Sequence, residues 1–291
     1  MKRYVINLDR APDRLELIKE EFSKLGLDFI RVPAIDWKDH EEEFQRKYSD
    51  AFYVPENVLD FVGLTRKKYI KKKIEYGHRF LSLAQVACWF SHRKCFKLIA
   101  EGSEPYGAVF EDDAYFSEEA RYLLENSDWI DEGIDFIKLD HYIWPNDYHP
   151  NTLLGKKNLI PNRERSSAKI LSLCYGLAGY VISRECAKRL YAITEYPCIP
   201  IDSLLFDSMI GVLNKFNMYQ IFPAVIRQQG LESSIHAFNQ PRLFDKATIC
   251  PKNFFIRKKN KFVCFMRKYA WPERLRNMGQ SSYWGPIFFK E

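Results

Sequence analysis

The chain has 291 residues, of which 46% are hydrophobic, 28% charged and 15% aromatic, with a formal net charge of +6. A chain of that length and composition can bury a full core without disulfides or metals, which excludes a disordered protein, a collagen-like fibre and a small disulfide scaffold. No stretch approaches the ~18 consecutive apolar residues of a transmembrane helix, and charge follows the first apolar positions too soon for a secretory leader.

In chain order, Tyr4 to Leu8 predicts a short strand. Asp9 to Pro12 is a turn that leads into a helix with Leu15, Ile18, Phe22 and Leu25 on one face and Gly26 as its stop. Phe29 to Val32 reads as the next strand, and strand–helix–strand implies parallel pairing. Residues 37–80 carry Glu41 to Glu43 and two lysine-rich runs, and read as a polar insertion with short helices. Leu83 to Ala100 predicts a helix with Ala87, Phe90, Cys95, Leu98 and Ile99 inward. Strands are expected at Tyr106 to Phe110, Ile134 to Leu139, Tyr175 to Ser183 and Tyr219 to Phe222. Helices are expected near Glu185 to Ile193 and Ser203 to Leu213, and 144–168 reads as a long loop.

The expected fold is therefore α/β: a Rossmann-type, mainly parallel sheet flanked by helices, with a helical insertion at 37–80. A catalytic domain over 1–250 precedes a basic, aromatic segment over 251–291. Between Lys252 and Arg276 there are nine Lys or Arg and one acid, a balance of +8 that leaves the rest of the chain near −2. Basic residues interleaved with Phe254, Phe255, Phe262, Phe265 and Trp271 suit an anionic membrane surface. A helix packed on the body with a solvated basic face is the plainer reading, and no nucleic-acid motif accompanies the patch. The seven cysteines are odd in number and spread out, which fits free thiols in a reducing cytoplasm. The lack of a C-x-x-C pair argues against a cysteine zinc site.

The chemistry concentrates at strand ends. Glu111-Asp112-Asp113 follows an apolar strand, where ligands of open α/β sheets bind. Adjacent carboxylates suit a hard divalent ion able to neutralise a phosphate; alternatively they are a solvated turn. Asn7 ends the first strand and could hold a base or ribose, while Arg10 and Arg14 could grip a diphosphate or decorate a helix. Neither a dinucleotide nor a P-loop fingerprint is present.

Four ordered blocks then resemble glycosyltransferase family 25, the bacterial lipooligosaccharide glycosyltransferases. They are Val5 to Arg10 with Arg14, Cys88-Trp89-Phe90-Ser91-His92, Val109 to Ala114, and Gly176 to Ser183. Weaker echoes are Pro200-Ile201-Asp202 and Phe222 to Ala224 with Gln228 to Ile235.

The resemblance implies a GT-A-like fold, a UDP-sugar donor, Mn²⁺ or Mg²⁺, and inversion at the anomeric carbon. It implies Asp113 as direct metal ligand, with Glu111 and Asp112 at the nucleotide ribose or metal; His236 could complete the metal shell or be a plain surface-loop histidine. Asn7, Arg10 and Arg14 would line the donor pocket, and Gly176 and Gly179 would let backbone approach the sugar. Asp202 is the first choice of base, with an N-cap as its plain alternative; Glu232 is the second. His92 would position donor or acceptor, or serve the core. Gln85 stands where the family often has Glu, and Leu177 where it has Thr. The expected activity is galactosyl transfer to lipooligosaccharide by a peripheral protein on the cytoplasmic face of the inner membrane. Glucosyl transfer, a metal-dependent phosphohydrolase and a non-catalytic glycan-binding relative are the alternatives.

Overall fold

The computed structural model describes residues 1–50, 52–75, 81–142, 151–161, 164–229, 282–287 and 289–290. β1 (Lys2–Asn7), α1 (Pro12–Leu25) and β2 (Ile30–Pro33) form the expected opening unit, with β1 and β2 parallel. Pro12 starts α1 with its φ already helical and no donor to waste. Gly26 ends it at φ 64, where its N–H reaches the carbonyls of Phe22 and Ser23.

Four short helical segments follow: a 3₁₀ turn, α2 (Glu41–Tyr48), α3 (Glu56–Val62) and α4 (Arg66–Glu75). Their polar sequence conceals a packing role. Val54, Val58 and Tyr69 are fully buried and belong to the main core cluster. α5 (Leu83–Ala100) has the expected bounds, and of its expected inward residues Ala87, Cys95 and Ile99 are buried and Phe90 packs half-buried against the core. Leu98 is instead 40% exposed, and Val86, Trp89 and Phe96 complete the buried face.

β3 (Tyr106–Glu111) lies beside β1, and β4 (Ala114–Phe116) and α6 (Ala120–Leu124) follow. β5 (Phe136–Lys138) is cut short, and the chain passes into β6 (Asp140–His141). Residues taken as a loop instead hold β7 (Asn151–Leu159) and β8 (Ser166–Ile170). Lys156, Asn158 and Lys169 are exposed, whereas Thr152, Leu153 and Leu154 are buried. β9 (Gly179–Ser183) and α7 (Arg184–Ile193) match expectation, while α8 (Ile201–Phe206) stops seven residues before the expected end at Leu213. β10 (Met218–Phe222), β11 (Ile226–Gln228) and β12 (Tyr283–Pro286) complete the strands.

The large sheet has the order β12-β7-β8-β10-β5-β9-β3-β1-β2. It is mixed rather than mainly parallel. Only β10–β5, β3–β1 and β1–β2 run parallel; β9 enters antiparallel between β3 and β5, and β8, β7 and β12 extend the far edge antiparallel. β9 begins just past the tight Gly176 turn and runs directly into α7, so its direction is set by local connections that strand propensity does not encode.

Both faces of the central strands are buried. Tyr4, Ile6, Val109, Tyr180 and Ile182 face one cluster, shared with α5 and α7. Val5, Ala108, Phe110 and Val181 face another, shared with α1 and α6. Continuous apolar strands of this kind require helices on both sides. A small sheet of order β4-β11-β6 sits where β3 and β5 end. It fastens the loops that carry the acidic residues. Among the described residues no helix is long and apolar enough to cross a membrane.

Candidate active site

Asn7 ends β1 almost wholly buried and joins the strand tip to the acidic turn. Its side-chain amide donates to Asp112 Oδ2 at 2.7 Å and to the Ala11 carbonyl at 3.1 Å. Its Oδ1 accepts from Arg31 Nε at 2.9 Å. Arg14, on the first turn of α1, donates to Asp112 Oδ1 at 3.1 Å. Both Asp112 oxygens are therefore engaged within the protein. Burial pushes its carboxyl upward, and Asn7 and Arg14 counter part of that push. Asp112 is the strut that ties β1 and α1 to the tip of β3. Arg10 is not part of this knot: it pairs with Asp36 on the exposed side.

Glu111 and Asp113 flank the strut and point elsewhere. Glu111 Oε1 lies 3.2 Å from His92 Nε2, and His92 Nδ1 lies 3.0 Å from the Tyr180 hydroxyl. His92 and Tyr180 are buried, so the imidazole spends both nitrogens on protein partners. Asp113 Oδ1 is buried with no hydrogen-bond partner among the described residues. Its Oδ2 has only a 3.5 Å contact from Gln228 Nε2. Desolvation, then the charges of Glu111 and Asp112, push Asp113 up to about 8.

A further carboxylate arrives from β6. Asp140 is 1% exposed and pairs with the equally buried Lys138. Its Oδ2 has no hydrogen-bond partner among the described residues. Burial raises its carboxyl, and Lys138 opposes the rise. Asp202 sits in the first turn of α8, with its Oδ1 accepting from its neighbour Ser203 N at 2.7 Å. Pro200, not Asp202, holds the N-cap position. After burial, the charges of Asp202, Glu111 and Asp113 are what raise the Tyr142 phenol. The Cys88 thiol feels burial and then the same carboxylates. The tip of β3 and the starts of β6 and α8 thus contribute to one acidic cluster.

The glycines have protein-facing reasons. Gly176 adopts φ +80, and a Cβ there would come 2.8 Å from Tyr142 Cδ2 and 3.1 Å from Asp140 Oδ2. A Cβ on Gly179 would meet Ile226 Cδ1 at 2.4 Å, so this glycine lets β9 and β11 pack and does not line open space. Leu177 is buried in the core, where a hydroxyl would need a partner. Gln85 closes a capping box at the start of α5: Ser82 accepts from Gln85 N at 3.2 Å, and Ser82 N donates to Gln85 Oε1 at 2.8 Å. Glu and Gln both fill that role, so the departure from the family pattern leaves the helix start intact.

The structure thus gathers Asn7, Arg14, His92, Glu111, Asp112, Asp113 and Asp202 around this cluster. Glu232, His236 and the basic segment lie outside the described residues. Sequence reading missed Arg31, Lys138, Asp140, Tyr142 and Tyr180. Asp140 could have been found, because it directly follows the expected strand Ile134 to Leu139. The Lys138 pairing was legible too, since residues two apart on an extended strand share a face. The described cysteines, at 88, 95, 174, 186 and 198, are unpaired thiols, as expected of a reduced protein.

A sheet covered by helices on both faces, with carboxylates converging past its strand tips, is the build of a ligand-binding α/β enzyme. Residues 1–205 match the family model described as Glycosyltransferase family 25 (LPS biosynthesis protein), and the chain belongs to that family. It is 30% identical to the lipooligosaccharide biosynthesis protein lic2B of Haemophilus influenzae over 78% of this chain and 76% of that one. It is 24% identical to lex-1 of the same species over 95% of both chains. It is 25% identical to the lacto-N-neotetraose biosynthesis glycosyltransferase LgtE of Neisseria gonorrhoeae, over 79% and 74% respectively. Among solved structures, the inositol-1-phosphate CTP transferase from T. maritima is 14% identical over 90% of this chain and 96% of that one, with a TM-score of 0.33.

Proposed function

We propose that this transferase moves a hexose, galactose first, from a UDP-sugar to a lipooligosaccharide acceptor with inversion at the anomeric carbon. The observation that carries the reading is the acidic cluster: Glu111, Asp113 and Asp202 gather beyond β3, and Asp113 keeps a buried oxygen without a partner among the described residues. Relatives named for lipooligosaccharide and lacto-N-neotetraose biosynthesis support the acceptor class.

Crowded carboxylates with an orphaned oxygen fit a hard, oxygen-seeking dication. Asp113 and Glu111 would hold Mn²⁺ or Mg²⁺, which when bound supplies positive charge against the departing diphosphate. Arg14 would add a guanidinium to the same phosphates, and Asn7 would fix the strand tip against which the nucleotide rests. Asp202 enters from α8, apart from the strand tips, and would take the proton of the acceptor hydroxyl as that oxygen attacks the anomeric carbon. Inversion follows because acceptor and leaving group occupy opposite faces of the sugar. The basic C-terminal segment would hold the enzyme at an anionic membrane surface on the cytoplasmic side, where a lipid-anchored acceptor resides.

Purified protein incubated with UDP-galactose or UDP-glucose, a truncated lipooligosaccharide and Mn²⁺ tests the reading. Transfer of galactose, abolished by chelation and by Asp113→Ala, with the product's anomeric configuration opposite to the donor's, is the expected result. Transfer from UDP-glucose alone would reassign the donor. Release of inorganic phosphate without transfer would overturn the reading in favour of a phosphohydrolase.

A further inference from the structure

Cys88 and His92 are four residues apart on α5, so their side chains share one face of the helix. β3 brings Glu111 to the same place. The donor atoms of the three residues all lie within 4.8 Å of one another. A thiol, an imidazole and a carboxylate are the donor set of zinc-class ions, whereas Mn²⁺ and Mg²⁺ prefer oxygen throughout. We propose that Cys88, His92 and Glu111 form a binding site for a thiophilic divalent ion of the zinc class, different in donor chemistry from the all-oxygen site at Asp113.

Three further features support the assignment. His92 Nε2 and Glu111 Oε1 are 3.2 Å apart. Two ligands each ~2.0–2.1 Å from a tetrahedral zinc are separated by about 3.3–3.4 Å, so this edge is nearly formed already. The other ring nitrogen is held by the Tyr180 hydroxyl at 3.0 Å. With Nδ1–H donating to that oxygen, Nε2 is left as the ligating atom, and a partner of this kind is what orients a metal-binding histidine. Finally, Cys88 and Glu111 are only partly buried while His92 lies behind them, so an ion can enter from their side. Binding transfers the thiol proton to solvent and leaves a thiolate on the ion. An ion seated there also takes Glu111 from the donor side of the acidic cluster.

The assignment rests on this geometry and not on the transferase reading, so its test uses no turnover. Co²⁺ is titrated into the reduced, full-length protein. The expected result is thiolate-to-cobalt charge-transfer absorption with the visible bands of tetrahedral cobalt, saturating at one equivalent and displaced by Zn²⁺. Cys88→Ser, checked for folding by circular dichroism, should lose the charge-transfer band. A Cys250→Ser/Cys264→Ser double variant should keep it. Glu111→Gln should weaken binding by ~10-fold or more. Absence of the band in the unmodified protein, or its survival in Cys88→Ser, overturns the site. Should Cys88→Ser fail to fold, zinc-edge X-ray absorption of the unmodified protein decides: one sulfur with one imidazole supports the site, and an all-oxygen shell overturns it.

Discussion

Asp113 shows at the residue scale how a site is made at the expense of stability. Its carboxyl is pushed up to about 8 in the folded protein, chiefly by desolvation, against 3.8 for an aspartate in water. The folded state then holds a proton that the unfolded chain releases. Stability from this group is fully present below the unfolded value and is lost as pH rises toward the folded one. Asp113→Asn should therefore stabilise the metal-free protein at neutral and alkaline pH by ~1 kcal/mol or more, a rise in Tm of about 2–4 °C. The gain should vanish near pH 4. Turnover should fall by ~100-fold or more, the cost of losing a group that stabilises transition-state charge. Thermal melts across pH, with assays of the same samples, check both halves; a variant that is less stable at pH 8 would refute the electrostatic account. Asn7 is the converse case, a residue whose bonds hold the site together. Asn7→Ala strips one donor from Asp112, which keeps Arg14, and one acceptor from Arg31, which keeps Asp9, and should cost about 1–3 kcal/mol. Denaturant melts measure that cost, and a raised KM for the nucleotide sugar should accompany it. Asn7, Arg14 and Asp113 were legible in sequence because each stands at a strand end or the first turn of a helix. Arg10 has the same local signature, but Asp36, distant in sequence, captures it.

Gln85 poses its question at the scale of the element. In the family pattern an acid at this position invites a catalytic reading, yet here the side chain closes the cap of α5. A cap tolerates Glu and Gln alike and is worth about 0.5–2 kcal/mol when lost. Gln85→Glu should change stability by less than ~0.5 kcal/mol and leave kcat within a few-fold, the ordinary range for a change that keeps its contacts. Gln85→Ala should lower stability by roughly 0.5–2 kcal/mol. Chemical denaturation and initial rates distinguish the outcomes, and a large gain in kcat for Gln85→Glu would show that the position takes part in chemistry. Elements whose identity rests on local periodicity, such as α1, α5 and β3, are legible in sequence within a residue or two. β7 and β8 are not, because exposed Lys156, Asn158 and Lys169 near the sheet edge imitate a loop. On α5 the covered side was legible at Ala87, Cys95 and Ile99 but not at Leu98, which tertiary packing leaves exposed while it buries Trp89.

The whole molecule joins an acidic cluster to a strongly basic end of the chain. Continuous apolar runs at β1, β3 and β9, interspersed with helical periodicity, made the α/β class legible, but strand direction was not, because β9 reverses through connections that no hydropathy pattern records. The C-terminal end was read as an appendage, yet its last residues belong to the body. β12 pairs with β7 along the sheet edge, Ile287 is buried, and the Lys290 carbonyl accepts from Arg165 Nη2 at 2.7 Å. Removing everything after residue 250 would strip an edge strand as well as the charge, so truncation cannot test membrane attachment. Charge neutralisation can. Near an anionic surface each Lys contributes roughly 1 kcal/mol, so replacing Lys258, Lys259, Lys261 and Lys268 with Gln should weaken vesicle binding by about 10³-fold. The unmodified protein should sediment with phosphatidylglycerol-containing vesicles, far less with neutral ones, and should be released as salt shortens the screening length. The variant's thermal midpoint should be unchanged, since the substitutions leave β12, Ile287 and the Arg165–Lys290 bond in place. Equal sedimentation of variant and parent would remove the segment's electrostatic role, and with it the proposed link between the acidic site and a lipid-anchored acceptor.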